Sequence, residues 1–205
     1  MPTGAITGVD SIAEPDFISF DTTPETSSAA AGTIFWDTGD AGLNLILNAN
    51  VTARIGQNEF ILATNNSGST IPKGSVVYIN GAQGQKPTLA LSDADTEATS
   101  SKTFGFTAEA ITNGSDGYVI TFGIIRGVNT DGLTEGAALW LSSTPGGYTT
   151  TKPSAPIHAV FLGYVVKAHI SSGEILINIQ NGYEIQELHN VKVNNGTLAN
   201  GCSSL

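Results

Sequence analysis

A single cysteine, Cys202, lies three residues from the end of this 205-residue chain. No disulfide can close within one copy, so stability has to come from a packed core or from association. Charge is scarce too: Asp, Glu, Lys and Arg make up 13% of residues, against roughly 25% in an ordinary soluble domain. Only eight are Lys or Arg, scattered singly, and 18 acidic residues leave a net charge of −10. A chain without a basic patch has little means of holding phosphates, which argues against nucleic acid and against an anionic membrane surface. No apolar run approaches the ~18 residues of a membrane-spanning helix. The opening stretch, MPTGAITGVDSIAEPDF, lacks a positive first region and an apolar second one, so no signal peptide is expected.

Reactive patterns are as sparse as charge. No two of His158, His169 and His189 stand at metal-ligand spacing, and one cysteine leaves zinc short of ligands. The phosphate-binding G-x-x-x-x-G-K-[ST] loop, the dinucleotide fingerprint and the G-x-S-x-G elbow are all missing. Asp93, Asp95 and Glu97 alternate in SDADTEATSSK and suit a calcium loop in type, but the surrounding Ser and Thr read as an ordinary solvated loop. Asp37 and Asp40 flank a turn, where aspartate is favoured for bonding its own backbone. Four N-x-S/T sequons, at Asn50, Asn65, Asn113 and Asn195, match chance expectation in a chain so rich in these residues. With only Trp36 and Trp140 as tryptophans, both in strand-like runs, the stacking surface of a two-carboxylate glycosidase is not evident. The expectation is therefore no enzyme, no catalytic residue, no cofactor and no metal.

What the chain does hold is glycine-punctuated β sequence. Ile71–Leu91 reads as a hairpin, with the apolar run Val76–Ile79 and a turn at Asn80-Gly81. Its grammar returns 62 positions later: Leu133, Gly136, Leu139, Trp140 and Leu141 match Ile71, Gly74, Val77, Tyr78 and Ile79. Downstream, Gly163 stands where Gly105 stands, and Gly173 where Gly117 stands. These matches predict a duplicated β unit, with copies at about 71–125 and 133–179. Before it, Thr33–Trp36 and Leu43–Leu47 read as a hairpin across a Gly/Asp turn. Asn44 between Leu43 and Leu45 marks the alternation of a half-buried strand, and Arg54–Leu62 reads as a further strand bent at Gly56. Strands are also expected at Ile71–Ile79, Leu89–Leu91, Tyr118–Ile125, Leu133–Leu141, Ile157–Val166 and Ile175–Ile179, with at most a helical turn at Thr107–Thr112. The fold class is all-β, a sandwich or barrel-like body in which two similar halves close on each other. Closure of that kind would hide strand edges.

The ends differ from this body. Residues 1–31 carry Pro2, Pro15 and Pro24 and few apolar groups, and from Met1 to Ala53 there are seven acidic residues and no basic one. Such a segment cannot bury enough apolar surface to fold alone. Within it, Phe17, Ile18 and Phe20 form a short hydrophobic anchor, the mark of an extended arm that adds to a neighbour's sheet edge. The domain reading is an extended arm at 1–31, an all-β body at 32–191 and a tail at 192–205, with one more strand or turn in YEIQELHNVKV.

Two longer runs carry a resemblance. GTIFWDTGDAGLNLIL with RIGQNEFILATNNSGSTIPKGSVVYINGAQG, and FGIIRGVNTDGLTEGAALWLSSTPGGYTTTKPSAPIHAVFLGYVV with ILINIQNGYEIQELHNV, resemble the module of bacteriophage virion structural proteins: tail fibres, head fibres and capsid decoration (cement) proteins. The resemblance spans roughly Gly32–Val191. It implies a virion location after assembly in the host cytoplasm, with the major capsid protein and copies of the chain itself as partners in a homo-oligomer, a trimer being one form. It transfers no catalytic or ligand residue. Longer fibre proteins continue past this module, whereas this chain ends soon after Val191, so the expected role is capsid decoration, with a tail fibre or tail adaptor as the alternative. A carbohydrate-binding module is the alternative from another class. The residues expected to contact partners are Phe17, Ile18, Phe20 and Trp36.

Overall fold

The computed structural model describes residues 17–22, 24 and 29–182. Most of the expected arm, the tail at 192–205, the YEIQELHNVKV stretch, His189 and Cys202 lie outside the described residues. The body is all-β. A small antiparallel sheet comes first, from β1 (Ile34–Asp37), β2 (Gly42–Ile46) and β3 (Thr52–Arg54) in the order β1-β2-β3. The expected Arg54–Leu62 strand is thus two strands in two sheets: β3 ends at Arg54, and β4 (Glu59–Asn65) begins after a turn at Gly56.

The first copy supplies β5 (Val76–Gln83), β6 (Lys86–Leu91), β7 (Thr103–Thr107) and β8 (Asp116–Val128), with one helical turn, α1 (Glu97–Ser100), in the polar loop. The second supplies β9 (Ala138–Leu141), β10 (Tyr148–Thr149), β11 (Phe161–Lys167) and β12 (Gly173–Gln180). The pairing orders are the same, β6-β5-β7-β8 and β10-β9-β11-β12. Register agrees residue by residue. Val77 faces Gly105 and Leu139 faces Gly163; Thr107 faces Val119 and Val165 faces Ile175. Gly74 N–H donates to the Thr107 carbonyl at 2.8 Å, and Gly136 N–H to the Val165 carbonyl at 2.7 Å. The two strand glycines answer one need, close approach of the neighbouring strand. A Cβ on Gly105 would overlap Val119 and come within 2.7 Å of the Ile120 carbonyl oxygen, and one on Gly163 would overlap the Leu176 carbonyl.

The halves do not close on each other. The first copy closes with β4: β8-β4-β6-β5-β7 returns to β8 as a five-stranded barrel. The closing contact is parallel, Thr64 to Thr88 and Asn65 to Leu89. Among the described residues the second copy has no strand equivalent to β4, and its strands form an open sheet. The 13-residue β8 joins the two: Asp116–Phe122 pairs with β4, and Phe122–Val128 pairs with β12. Two cores follow. Val77, Leu89, Ile111 and Val119 fill the barrel. Val76, Phe106 and Ile120, on its outer wall, pack with Leu139, Leu162, Ile175 and Ile177 of the second sheet. Neighbouring Val76 and Val77 thus serve opposite cores, as the strand period of two requires.

Three local expectations fail. Asn80-Gly81 is not the hairpin turn; pairing slips there, between Ile79–Leu89 and Gly81–Thr88, and β5 runs on to Gln83. Thr88 Oγ1 donates to Asn80 Oδ1 at 2.7 Å, holding the asparagine at a bulge. The turn is Gly84-Gln85, where φ of +61° at Gly84 suits the first position of a tight hairpin loop. The expected Ile71–Ile79 and Leu133–Leu141 strands begin late, at Val76 and Ala138. Thr107–Thr112 forms no helical turn, because Ile71 and Ile111 bridge with both backbone hydrogen bonds made.

Candidate interaction surface

The small sheet has two unlike faces, one wholly apolar and one mixed. Register places Ile34, Leu45 and Ala53 side by side, with Trp36 beside Leu43 in the next row and Ile55 bonded to the Leu43 carbonyl. These six side chains share one face, and all are apolar. None belongs to either core; Ile34 and Ile55 are 47% and 50% exposed, and the other four are half-buried. The opposite face carries Phe35, Asp37, Asn44, Ile46, Thr52 and Arg54, a mixed set, and Asn44 is only 1% exposed. This reverses the burial implied by the Leu43-Asn44-Leu45 alternation.

A polar network turns the sheet this way round. Asp37 Oδ1 accepts from the backbone of Gly39 and Asp40 at 2.8 and 3.1 Å, the turn bonding expected of it, and Asn44 Nδ2 donates to Asp37 Oδ2 at 3.4 Å. Asp40 does something else. Its carboxylate pairs with Arg54 Nε and, at 3.2 Å, with Arg126 Nη2; Arg126 Nε lies 3.4 Å from Glu174 Oε1. The chain Glu174–Arg126–Asp40–Arg54 therefore ties β12 and β8 to the small sheet. A second tie runs through Glu109, buried at the barrel wall, whose carboxylate accepts from Asn48 and Asn50 side chains and from the Tyr118 N–H. Ion pairs and amide bonds tie down the inward face, where Phe35 and Ile46 also lie, and the all-apolar face is left outward.

The expected partner residues gather at this end. Trp36 is on the outward face. The Thr38 hydroxyl, in the β1–β2 turn, donates to the Thr22 carbonyl and so anchors the segment that carries the other three. Phe20 is half-buried there, while Phe17 and Ile18 stand 83% and 60% exposed. Sequence reasoning missed Ile34, Leu43, Leu45 and Ile55 as surface groups. Their alternation was visible, but alternation does not say which side faces the body.

A second feature lies on the second-copy sheet. Trp140 and Phe161 are cross-strand partners with rings 5.5 Å apart, and Phe161 meets Tyr164 at 5.1 Å, both edge to face. Trp140 and Phe161 line a cleft of about 720 Å3 with Lys152, His158 and Glu97. Lys152 Nζ lies 5.1 Å from the Trp140 ring, and His158 Nδ1 lies 3.0 Å from Glu97 Oε2. Glu97 is the one carboxylate lining it among the described residues. Asp93 meanwhile binds its own loop, Oδ1 accepting from Asp95 N–H at 3.1 Å and Thr99 Oγ1 at 2.9 Å. His169 Nδ1 accepts from the Ser171 and Ser172 backbone. Among the described residues no group of three His, Cys, Asp or Glu side chains is placed to hold a metal ion. No protein-family model matches the chain, and no curated protein matches it.

Proposed function

We propose that this chain is a non-enzymatic bacteriophage virion protein of the capsid-decoration kind, seated on the outer surface of the head and reinforcing it. Its partners are the major capsid protein and further copies of itself, with no role for nucleic acid or membrane. One observation carries the reading: a rigid β body presents an apolar sheet face, Ile34, Trp36, Leu43, Leu45, Ala53 and Ile55, beside an anchored segment bearing exposed Phe17 and Ile18. A surface of that kind is made for protein contact. Many copies on a symmetric shell bind as a net, so modest single contacts sum to firm attachment. The resemblance of Gly32–Val191 to phage virion modules supplies the particle.

Co-sedimentation with purified phage heads tests the reading. The full chain should pellet with heads, and a variant without residues 1–31 should stay in the supernatant; equal binding by both refutes the role given to the arm. Electron microscopy of the particle separates head from tail, and density on the tail would favour a fibre or adaptor. The aromatic row Trp140–Phe161–Tyr164 beside its cleft favours one further reading, a carbohydrate-binding module. Saturable binding on a glycan array, abolished by Trp140→Ala, would establish that reading instead.

A further inference from the structure

The small sheet is incomplete in two respects. Its outward face is apolar and outside both cores, and the outer edge of β1 pairs with no described strand. Three strands of this length gain independent stability only by covering a hydrophobic face. Beside them lies a complementary piece. In Phe17-Ile18-Ser19-Phe20-Asp21 the strand period of two puts Ile18 and Phe20 on one side, with Ser19 and Asp21 on the other. The chain's own copy of this segment does not complete the sheet. It is tethered within reach, through the Thr22 carbonyl and the Thr38 hydroxyl, yet it forms no strand and leaves Phe17 and Ile18 exposed.

We infer that the occupant is a second copy: residues 17–21 of one protomer add as a fourth strand along the free β1 edge of another, laying Ile18 beside Ile34 and Trp36. Two physical points support exchange over simple face-to-face stacking. Three strands ~4.8 Å apart and about four residues long offer roughly 200 Å2, about a quarter of the ~800 Å2 each partner contributes to a stable interface. An added strand supplies main-chain hydrogen bonds as well as apolar contact, and five extended residues reach about 16 Å beyond their tether. This deepens the reading of the arm and sheet face as a contact surface, but it concerns only how copies join.

Sedimentation equilibrium on the full chain, without particles, is the test. The wild type should be oligomeric. I18D, which spoils the arm, and I34D, which spoils the face, should each be monomeric with an unchanged circular dichroism spectrum. Mixed together they should form a 1:1 heterodimer, because one good arm and one good face remain. A monomeric wild type, oligomeric single variants, or a mixture that fails to associate would each overturn the exchange. Should I34D not fold, cysteine pairs replace it: in a Cys202→Ser background, I18C mixed with I34C should give an oxidised dimer on a non-reducing gel, and no such band refutes the contact. Head co-sedimentation reads the particle role separately, so failure of one experiment does not decide the other.

Discussion

The duplicated glycines offer a sharp quantitative test of the fold. Gly163→Ala places a methyl group on the Leu176 carbonyl of the neighbouring strand, at a residue whose φ is +146°. Backbone cannot yield as a side-chain tip can, so overpacking costs about 1–3 kcal/mol, and the unfavourable backbone conformation adds about 1–3 kcal/mol. The expected loss is roughly 2–6 kcal/mol, a large part of a domain's usual 5–15. Gly68→Ala is the control: φ is +88° but nothing lies within 4 Å of the new carbon, which leaves only the left-handed backbone cost of about 1–2 kcal/mol. Gly105→Ala, the counterpart in the first copy, meets the Ile120 carbonyl at 2.7 Å without positive φ and should cost about 1–3 kcal/mol. Urea unfolding followed by tryptophan fluorescence measures all three. Trp36 reports the small sheet and Trp140 the second copy, so single-tryptophan versions check that the transitions coincide. If Gly163→Ala proves no more costly than Gly68→Ala, the close approach of β11 and β12 is wrong, and with it the register that equates the two copies.

Three further outcomes are expected. Glu109→Ala strips the acceptor from Asn48, Asn50 and the Tyr118 N–H; with these part-buried donors left unpaired, the loss should be about 1–3 kcal/mol by the same denaturation assay. Leu45→Ser, on the outward face, should cost the dilute monomer under about 1.5 kcal/mol, whereas Ile177→Ala, in the shared core, should cost about 2–5; equal losses would mean the face is already covered within one copy. Burial raises the Tyr148 phenol above its ordinary value, and its hydroxyl donates to the Asn129 carbonyl at 2.9 Å. A pKa raised on folding gives stability that is complete below the unfolded value of ~10 and is lost as pH rises through the folded one. Melting temperatures should therefore fall on the alkaline side, and Tyr148→Phe should flatten that fall.

The same logic shows where sequence reading succeeds and where it stops. The β1–β2 hairpin and the matched glycines were legible because turns and strand alternation are local. Gly105 and Gly163 were recognisable before any strand was placed, since each sits at one position of a repeated pattern. Asn80-Gly81 misled because the same dipeptide serves a turn and a bulge; the choice rests on Thr88, eight residues away, which bonds Asn80 across the strand pair. For the candidate surface, the Phe17–Phe20 anchor stood out as an apolar group in polar surroundings, and Trp36 as one of only two tryptophans. Ile34, Leu43, Leu45 and Ile55 did not, because nothing near them in the chain reveals which side meets the body.

By itself the sequence determined the β character of this protein and the division into repeated strand sets, since hydrophobic period and turn chemistry act over a few residues. Only the tertiary structure decided what those sets enclose. Barrel closure depends on the parallel meeting of β4 with β6, which no hairpin dictates, and β8 is shared because its two ends pair with different strands. The outward aim of the small sheet's apolar face depends on Arg126 and Glu174, more than 80 residues downstream of Asp40. An alternating strand is equally content with either face inward until distant charges, half-buried and paired, choose one.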